Sequence, residues 1–535
     1  GQNINIDNTE AVRKEIKSSK DRITQVTEEN DDDEMGKEEF RAVVAIDAND
    51  ECADFSLSDN VIDQIDFPKV AFDRNNLKRT PFAHQLEGIQ WLLGLLNTSL
   101  DDNENTVPGG LLADDMGLGK TYMSLVGIGD YLNARKRLKL TEKPVMIVAP
   151  LGLIENWVDE IDKTFDKSPF RDIVILQSSA DLKTFKLKGS KTETKQVFEE
   201  GAIDDVNAIR YSLKVGKEFG SERLDMPNRL VLTTYDALRD YQFSLGRIDW
   251  SVVAFDEAQN IKNPNTLVTR ASKGLKADFK LLATGTPVEN SLKDFWCLLD
   301  TAVPGLLGAW QDFRESYISP ILKADAETAL ESKIEVGKSI REKVGKHMLR
   351  RIKEDQLEGL PPKYIWTGDA NLTNERIGFS DSLSDYMKGI QKQRYDDVIH
   401  SVRSAGKEEK QKVVLASLHA LREISIHPEV DDKNIFNLSI KDVKSSLDLS
   451  AKMKSLVLTL GQIKKRDEKV IIFAMSKKLQ SYMSVTLGLM YKIDVPIING
   501  DTKAVKSTKG ELTRKGIIEE FEKRVGFGLI IMSPI

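Results

Sequence analysis

The stretch LLADDMGLGKT, residues 111–121, decides how the fold of this chain is interpreted. An apolar run comes first, a loop with two glycines follows, and residues 121–134 have the composition of a helix. Glycines let backbone N–H groups close around phosphate oxygens, and the N-terminus of a helix adds a positive dipole. The sequence therefore predicts a phosphate-binding loop between a strand and a helix. The expected contacts are Met116, Gly117, Leu118, Gly119, Lys120 and Thr121.

Two side chains of this loop have separate expected tasks. Lys120 would reach the β- and γ-phosphates of a nucleotide, and the Thr121 hydroxyl would ligate Mg²⁺. The general pattern has a glycine five residues before Gly119, where this chain has Asp114. The alternative interpretation is an ordinary tight turn that is followed by a lysine.

Outward from the loop, short apolar runs alternate with helical stretches, which is the pattern of an α/β domain with a parallel sheet. The runs are residues 110–113, 145–149, 172–176, 229–233, 251–255 and 280–283. After Pro304 the chain is expected to be helical, including residues 340–353. A second α/β pattern begins at Lys469, with further runs at residues 495–499 and 528–532. The sequence predicts an α/β protein with two parallel sheets and helical insertions between them.

Two carboxylates, Asp256 and Glu257, follow the apolar run at residues 251–255. At the C-terminal end of a strand, Asp256 would hold Mg²⁺ through water. Glu257 would orient or deprotonate the attacking water, as general bases do in phosphoryl transfer. An isolated Asp-Glu pair is usually only solvated charge, and the upstream Lys120 is what favours the catalytic interpretation.

Two further segments lie beside this chemistry. Thr284, Gly285 and Thr286 end another apolar run, where small hydroxyls can bond to the acidic site and to a neighbouring lobe. The alternative is an ordinary Gly-Pro turn. Gln85 lies upstream of the loop, and its amide can donate and accept at once, so it could recognise an adenine edge. Taken alone, Gln85 would be a surface residue of a helix.

Composition limits the class of protein. The chain has 535 residues, 40% hydrophobic and 30% charged, with a net charge of −7. Its apolar runs all fall short of the roughly 20 residues that cross a bilayer, so no membrane partner is expected. Two cysteines and five histidines favour a reducing cytoplasm without a zinc site. The acidic balance still allows nucleic acid in a positive groove. The acids of residues 28–39 indicate a solvated segment or, alternatively, a cover for that groove.

In combination, these residues resemble the motifs of Swi/Snf-type ATPases, a branch of helicase superfamily two. The matching segments are residues 85–92, 111–121, 148–151 with 156–157, 232–235, 256–259, 281–290, 348–351, 360–363, 421–428 and 469–473. The chain departs from the family pattern at Asp115, Gln259, Glu289 and Ile426, where Glu, His, Gln and Asn respectively are frequent or usual.

The resemblance implies two RecA-like lobes that clamp ATP with Mg²⁺ and track along double-stranded DNA without processive unwinding. Gln259, Thr284, Gly285 and Thr286 would couple the lobes. The implied DNA contacts are Pro150, Leu151, Asn156, Thr233, Thr234, Tyr235, Arg350 and Arg351. The expected domains are an acidic accessory region (1–66), lobe one with the ATP site (67–303), a helical linker with insertions (304–450) and an incomplete lobe two (451–535).

The last motif of that family carries arginines that reach the γ-phosphate, a contact worth on the order of 10³ to 10⁵ in rate. The chain reaches Ile535 before such a motif, so residues 1–535 are expected to bind ATP and hydrolyse it poorly. The pathway is left open between RNA-polymerase recycling and prokaryotic phage defence of the Zorya kind. A nuclease domain or partner subunits are possible partners, and the expected location is the nucleoid in the cytoplasm. A nucleotide-gated DNA- or protein-binding switch and an RNA-directed helicase are the alternative functions.

Overall fold

The computed structural model divides the chain into two compact units, Gly1–Glu358 and Gly359–Ile535. It describes residues 62–100, 106–178, 180–195, 211–288, 291–325, 328–356, 365–367, 377–379, 387–404, 410–429, 440–502 and 513–534. The acidic segment at residues 28–39 and the motif residues 289–290 and 360–363 lie outside these ranges. The four domain boundaries that the sequence suggests stay a prediction.

The first unit is built on a seven-stranded sheet in which each pairing is parallel. The strand order across the sheet is β3-β4-β2-β5-β6-β1-β7. The strands are β1 (Gly109–Leu112), β2 (Val145–Val148), β3 (Ile173–Leu176), β4 (Leu230–Thr233), β5 (Trp250–Asp256), β6 (Ala277–Ala283) and β7 (Met348–Leu349).

Helices cover both faces of this sheet. Successive residues of a strand point to opposite faces, so Val253 and Phe255 join one hydrophobic cluster while Val252 and Ala254 join the other. The helices are α1 (Ala83–Asn97), α2 (Lys120–Arg137), α3 (Ile154–Thr164), α4 (Leu182–Phe185), α5 (Tyr235–Asp240), α6 (Gln242–Gly246), α7 (Leu267–Gly274), α8 (Leu292–Ala302), α9 (Trp310–Phe313), α10 (Ser319–Lys323), α11 (Ala329–Val344) and α12 (Lys353–Gln356).

The six apolar runs predicted in this part of the sequence each coincide with a strand. All seven residues of β5 are buried, as are all residues of β1, β2 and β4. Burial on both faces explains why these strands are continuously apolar rather than alternating. The main difference is β6, which begins at Ala277 rather than at residue 280.

The sheet register brings three loops to one edge. Leu112, the last residue of β1, pairs with Ala283, the last residue of β6. Asp256, the last residue of β5, pairs with the same Ala283. Because parallel strands end at a common edge of the sheet, the loop after β1, the carboxylates after β5 and the turn after β6 are neighbours.

The sequence favours helix through residues 340–353, and the structure differs there. Helix α11 ends at Val344, and Gly345 follows with φ 49°, in the left-handed region that glycine adopts readily. β7 then joins the sheet beside β1. Backbone hydrogen bonds continue this pairing, from the Ala113 N–H to the Leu349 carbonyl at 2.7 Å and from the Asp115 N–H to the Arg351 carbonyl at 3.1 Å. Residues 348–353 therefore run alongside the glycine loop.

The second unit carries its own parallel sheet, in the order β10-β12-β11 within the ranges described. Its strands are β8 (Ile365–Thr367) and β9 (Ile377–Phe379), which pair separately, and β10 (Lys469–Phe473), β11 (Ile497–Ile498) and β12 (Gly528–Met532). Its helices are α13 (Gly389–Ser404), α14 (Lys410–Ile426), α15 (Ile440–Asp448), α16 (Ala451–Lys465), α17 (Lys477–Tyr491) and α18 (Arg514–Lys523).

The three apolar runs predicted after residue 468 coincide with β10, β11 and β12. The predicted class, an α/β protein with two parallel sheets, is therefore confirmed. Among the described residues, every helix is too short or too polar to cross a lipid bilayer.

Candidate nucleotide-binding site

The loop after β1 has the backbone that phosphate binding requires. Gly117 and Gly119 have φ angles of 89° and 90°, which residues with side chains rarely adopt. A Cβ atom at Gly119 would collide with the amide nitrogen of Gln85. Gly119 is also the residue that precedes α2, so the positive end of that helix dipole faces the loop.

Lys120 is the first residue of α2 and folds its ammonium group back over the loop. Its Nζ donates hydrogen bonds to the carbonyl oxygens of Asp114 at 2.7 Å and Asp115 at 3.3 Å. Burial lowers the pKa of Lys120, while the carboxylates of Glu257 and Asp256 act in the opposite direction. The ammonium group thus lies in the electrostatic field of the acidic pair.

Asp256 ends β5 and is buried, with contacts from two other segments. Its Oδ2 accepts a hydrogen bond of 2.8 Å from the indole Nε1 of Trp157 in α3. Its main-chain carbonyl accepts one of 2.7 Å from the hydroxyl of Tyr235 in α5. Burial raises the pKa of Asp256, and the Trp157 hydrogen bond partly offsets this. A cation beside this carboxylate would favour its charged form.

Glu257 has an unusual backbone, with φ 52° in the left-handed region. Non-glycine residues in this region are uncommon and concentrate at functional sites. The Gln259 amide donates to Oε2 of Glu257 at 2.8 Å, and the Thr284 hydroxyl donates to Oε1 of Gln259 at 2.7 Å. The Thr286 N–H in turn donates to the Thr284 oxygen at 3.1 Å. A continuous chain of hydrogen bonds therefore joins Glu257 to the turn after β6.

We expect Thr284→Val to weaken this chain without changing the shape of the buried site. Valine keeps the side-chain volume but cannot donate to Gln259, so Gln259 loses its anchor. A neutral hydrogen bond contributes about 1 kcal/mol, which corresponds to a fall in kcat for ATP hydrolysis of roughly fivefold.

The matched control is Thr301→Val. The Thr301 hydroxyl is equally buried but donates to the Cys297 carbonyl inside α8, away from the site. Steady-state ATPase assays of both variants test the expectation, and equal rates for the two would contradict it.

Gly285 brings the turn after β6 against the glycine loop. A Cβ atom at this position would lie 3.0 Å from Cγ of Met116 and 3.7 Å from Nζ of Lys120. The structure therefore assembles the three segments singled out in the sequence, those of Lys120, Glu257 and Thr284, around one point.

Gln85 also reaches the loop. Its amide nitrogen donates to the Leu118 carbonyl at 3.3 Å, and its amide oxygen accepts from the Phe82 N–H at 3.1 Å. His84 contacts the same carbonyl of Leu118 through Nε2 at 3.1 Å. In this arrangement the Gln85 amide ties the start of α1 to the loop, and adenine recognition by Gln85 stays a prediction.

The expected DNA contacts are exposed to different degrees. Asn156 is exposed, whereas Pro150 and Leu151 are half-buried before α3. Thr233 and Thr234 are buried, and the Thr234 hydroxyl caps α5 by accepting from the Ala237 N–H at 3.2 Å. These residues stay predicted DNA contacts.

Arg350 and Arg351 lie at the glycine loop. The Arg351 guanidinium forms an ion pair with both carboxylate oxygens of Asp114, and the Arg351 N–H donates to the same carboxylate at 2.9 Å. Asp114 is fully buried, and the Arg351 side chain is only 9% exposed. Arg350 donates to the Ala113 carbonyl at 3.0 Å. A DNA contact by either arginine stays a prediction.

The sequence did not predict two contacts of the site: the ion pair of Arg351 with Asp114, and the hydrogen bond from the Trp157 indole to Asp256. One signal was present for the first. Asp114 stands at the start of a loop that would bind phosphate, and its carboxylate would repel the phosphate charge. A cationic partner for Asp114 was therefore to be expected. The second had no signal, because Trp157 fits a helix core equally well.

The side chains and the backbone fit a magnesium nucleotide. The left-handed glycines leave a cradle, Lys120 would supply a cation, and Asp256 with the Thr121 hydroxyl would supply oxygen ligands of the kind that Mg²⁺ prefers. When bound, Mg²⁺ would neutralise phosphate charge and polarise a phosphoryl oxygen.

A parallel sheet with a glycine loop, a lysine at the start of the next helix and carboxylates after a neighbouring strand defines a nucleotide-binding α/β protein of the P-loop class. Residues 84–430 match the family described as the SNF2-related domain. The chain belongs to this family, which confirms the resemblance to Swi/Snf-type ATPases.

The sequence is also similar to that of individual proteins. The Zorya protein ZorD of Escherichia coli O139:H28 is 32% identical over 460 residues, which cover 84% of this chain and 37% of that protein. The DNA repair and recombination protein RAD26 of Saccharomyces cerevisiae is 24% identical over 415 residues, covering 74% of this chain and 35% of that protein. The chain thus spans little more than a third of either relative.

A solved structure, the Sulfolobus solfataricus SWI2/SNF2 ATPase core in complex with dsDNA, is 23% identical with a TM-score of 0.39. The similarity covers 86% of this chain and 79% of that one.

Proposed function

We propose that this chain is a DNA-dependent ATPase that moves along double-stranded DNA without processive unwinding. The observation that supports this most is the convergence of Lys120, Asp256 and Glu257 at one edge of a parallel sheet, in a member of the SNF2-related family. Lys120 and Thr121 would hold the triphosphate, Asp256 would hold Mg²⁺, and Glu257 would orient the attacking water.

The segments of Asn156 and Thr234 are the proposed contacts with the DNA backbone. Hydroxyl, amide and N–H donors hold phosphates without reading sequence, so binding would be weakly selective and strongly dependent on salt. The chain of hydrogen bonds from Glu257 to Thr286 would transmit the state of the nucleotide to the rest of the motor.

The similarity to a Zorya protein supports a place in antiviral defence rather than in transcription. We propose that the motor works at the nucleoid in the cytoplasm, with partner subunits or a nuclease domain of a defence complex. Its role there would be to convert ATP hydrolysis into movement on DNA.

A triplex-displacement assay with the full-length protein tests the proposal. Wild-type protein is expected to strip a third strand from duplex DNA in the presence of ATP. At an ATP concentration near the KM of the wild type, Lys120→Ala should displace the strand much more slowly, because a hydrogen bond from a charged donor contributes about 1.5 to 3 kcal/mol and its loss weakens ATP binding roughly 10- to 100-fold. The matched control is Lys136→Ala, which removes an exposed lysine from the same helix.

Displacement, DNA-binding and ATPase measurements on the same protein give each alternative function its own outcome. Displacement by Lys120→Ala at the wild-type rate would refute the motor. ATP-dependent DNA affinity without displacement by wild-type protein would favour the nucleotide-gated switch. Stronger stimulation of the ATPase by RNA than by duplex DNA would favour the RNA-directed helicase.

A further inference from the structure

Two aromatic residues, Trp157 and Tyr235, hold Asp256 by hydrogen bonds. Neither has a role in binding or hydrolysing the nucleotide in the proposed function. Trp157 is 2% exposed, and its indole N–H can only donate. It donates to Oδ2 of the Asp256 carboxylate at 2.8 Å. The Tyr235 hydroxyl holds the main-chain carbonyl of the same residue at 2.7 Å. Both the side chain and the backbone of Asp256 are therefore fixed from outside β5.

The two aromatic residues belong to the segments on the proposed DNA side. Asn156 precedes Trp157 and is exposed, while Trp157 points into the core of the unit. Consecutive helix residues lie about 100° apart, so α3 can present one side chain outward and the next inward. Thr234 precedes Tyr235 and caps the short helix that Tyr235 begins.

A small movement of these segments is sufficient to reach the carboxylate. A hydrogen bond of 2.8 Å is lost beyond about 3.5 Å, so a displacement of less than about one ångström at the indole changes how Asp256 is held. A misplacement of that size can lower a rate by about 100-fold when it affects a catalytic group.

We propose that Trp157 and Tyr235 are positioning residues that couple DNA contact at the residues preceding them, 150–156 and 233–234, to the orientation of Asp256. This inference rests on the proposed function. DNA that binds these segments sets the positions of the indole and the phenol, and they in turn set the carboxylate that would hold Mg²⁺. The two residues would thereby make ATP hydrolysis respond to DNA.

Trp157→Phe tests the coupling because it keeps an aromatic ring in the core and removes only the donor and part of the ring. Linear duplex DNA should stimulate the kcat of this variant at least fivefold less than that of wild type. The Mg²⁺ concentration for half-maximal rate should rise, and the KM for ATP and the DNA affinity should stay close to wild type. Trp296→Phe is the matched control, since its buried indole donates to the Gly308 carbonyl at 3.1 Å, outside the site.

Tyr235→Phe provides a second, independent variant that removes a single oxygen. If both residues act through Asp256, the double variant should lose less stimulation than the product of the two single losses. Stimulation and Mg²⁺ dependence equal to those of Trp296→Phe in both single variants would overturn the inference. Wild-type protein without any DNA stimulation would instead refute the proposed function, so the two failures are distinguishable.

Discussion

Replacing Glu257 with glutamine is expected to lower kcat for ATP hydrolysis by roughly 10²- to 10⁴-fold while ATP still binds. Glutamine has the shape of glutamate but cannot take a proton, and a positioned general base contributes an effect of this size. The Gln259 amide can still donate to the remaining oxygen at this position, where it now donates to Oε2. Single-turnover hydrolysis and equilibrium binding of a fluorescent ATP analogue measure the two effects separately.

Glu342→Gln is the matched control for this change. Glu342 is an exposed residue of α11 in the same unit and pairs only loosely with Lys338, at 4.0 Å. It should leave both kcat and nucleotide affinity unchanged. A Glu257→Gln protein that hydrolyses ATP within a fewfold of wild type would remove Glu257 from the catalytic role.

Replacing Arg351 with methionine is expected to destabilise the first unit by about 3 to 5 kcal/mol, the usual cost of removing one partner from a buried ion pair. The reason is that Asp114 is fully buried and would lose the guanidinium that is its ion-pair partner. A loss of this size lowers Tm by on the order of 10 °C, which calorimetry measures directly. ATP affinity should fall as well, because Asp114 is the residue from which the glycine loop starts.

Arg229→Met is the matched control, because it removes the arginine of an ion pair away from the glycine loop. Arg229 donates to both oxygens of Asp172, at 2.8 and 2.7 Å, just before the paired strands β4 and β3 begin. Asp172 is 40% exposed, so water can solvate it after the change. The control should therefore lose less stability and keep its ATP affinity.

A rescue variant completes the design. Asp114→Asn combined with Arg351→Met removes both charges, and it should recover much of the lost stability, because the penalty comes from the unpaired charge. Equal losses in the two single arginine variants, or no rescue, would contradict the account of the pair.

The strands could be predicted from the sequence because each is a short apolar run, and this property is local whether both faces are covered, as in β5, or alternate residues are exposed, as in β10. β5 and β10 were found in this way, and so was the loop with Gly117 and Gly119, whose left-handed backbone only glycine adopts easily. β7 could not be found, because it has two residues and exists only by pairing with β1.

The chemistry of the site divides in the same way. The sequence alone indicated which residues could bind phosphate, magnesium and water: Lys120 through its glycine loop, and Asp256 and Glu257 because they follow an apolar run in a chain that also has Lys120. Only the tertiary structure decided what holds them: Trp157 reaches Asp256 from 99 positions away, and Arg351 reaches Asp114 from 237. A local pattern encodes a strand or a loop, but contacts at such separations depend on the register and packing of the whole sheet, which no short stretch of sequence contains.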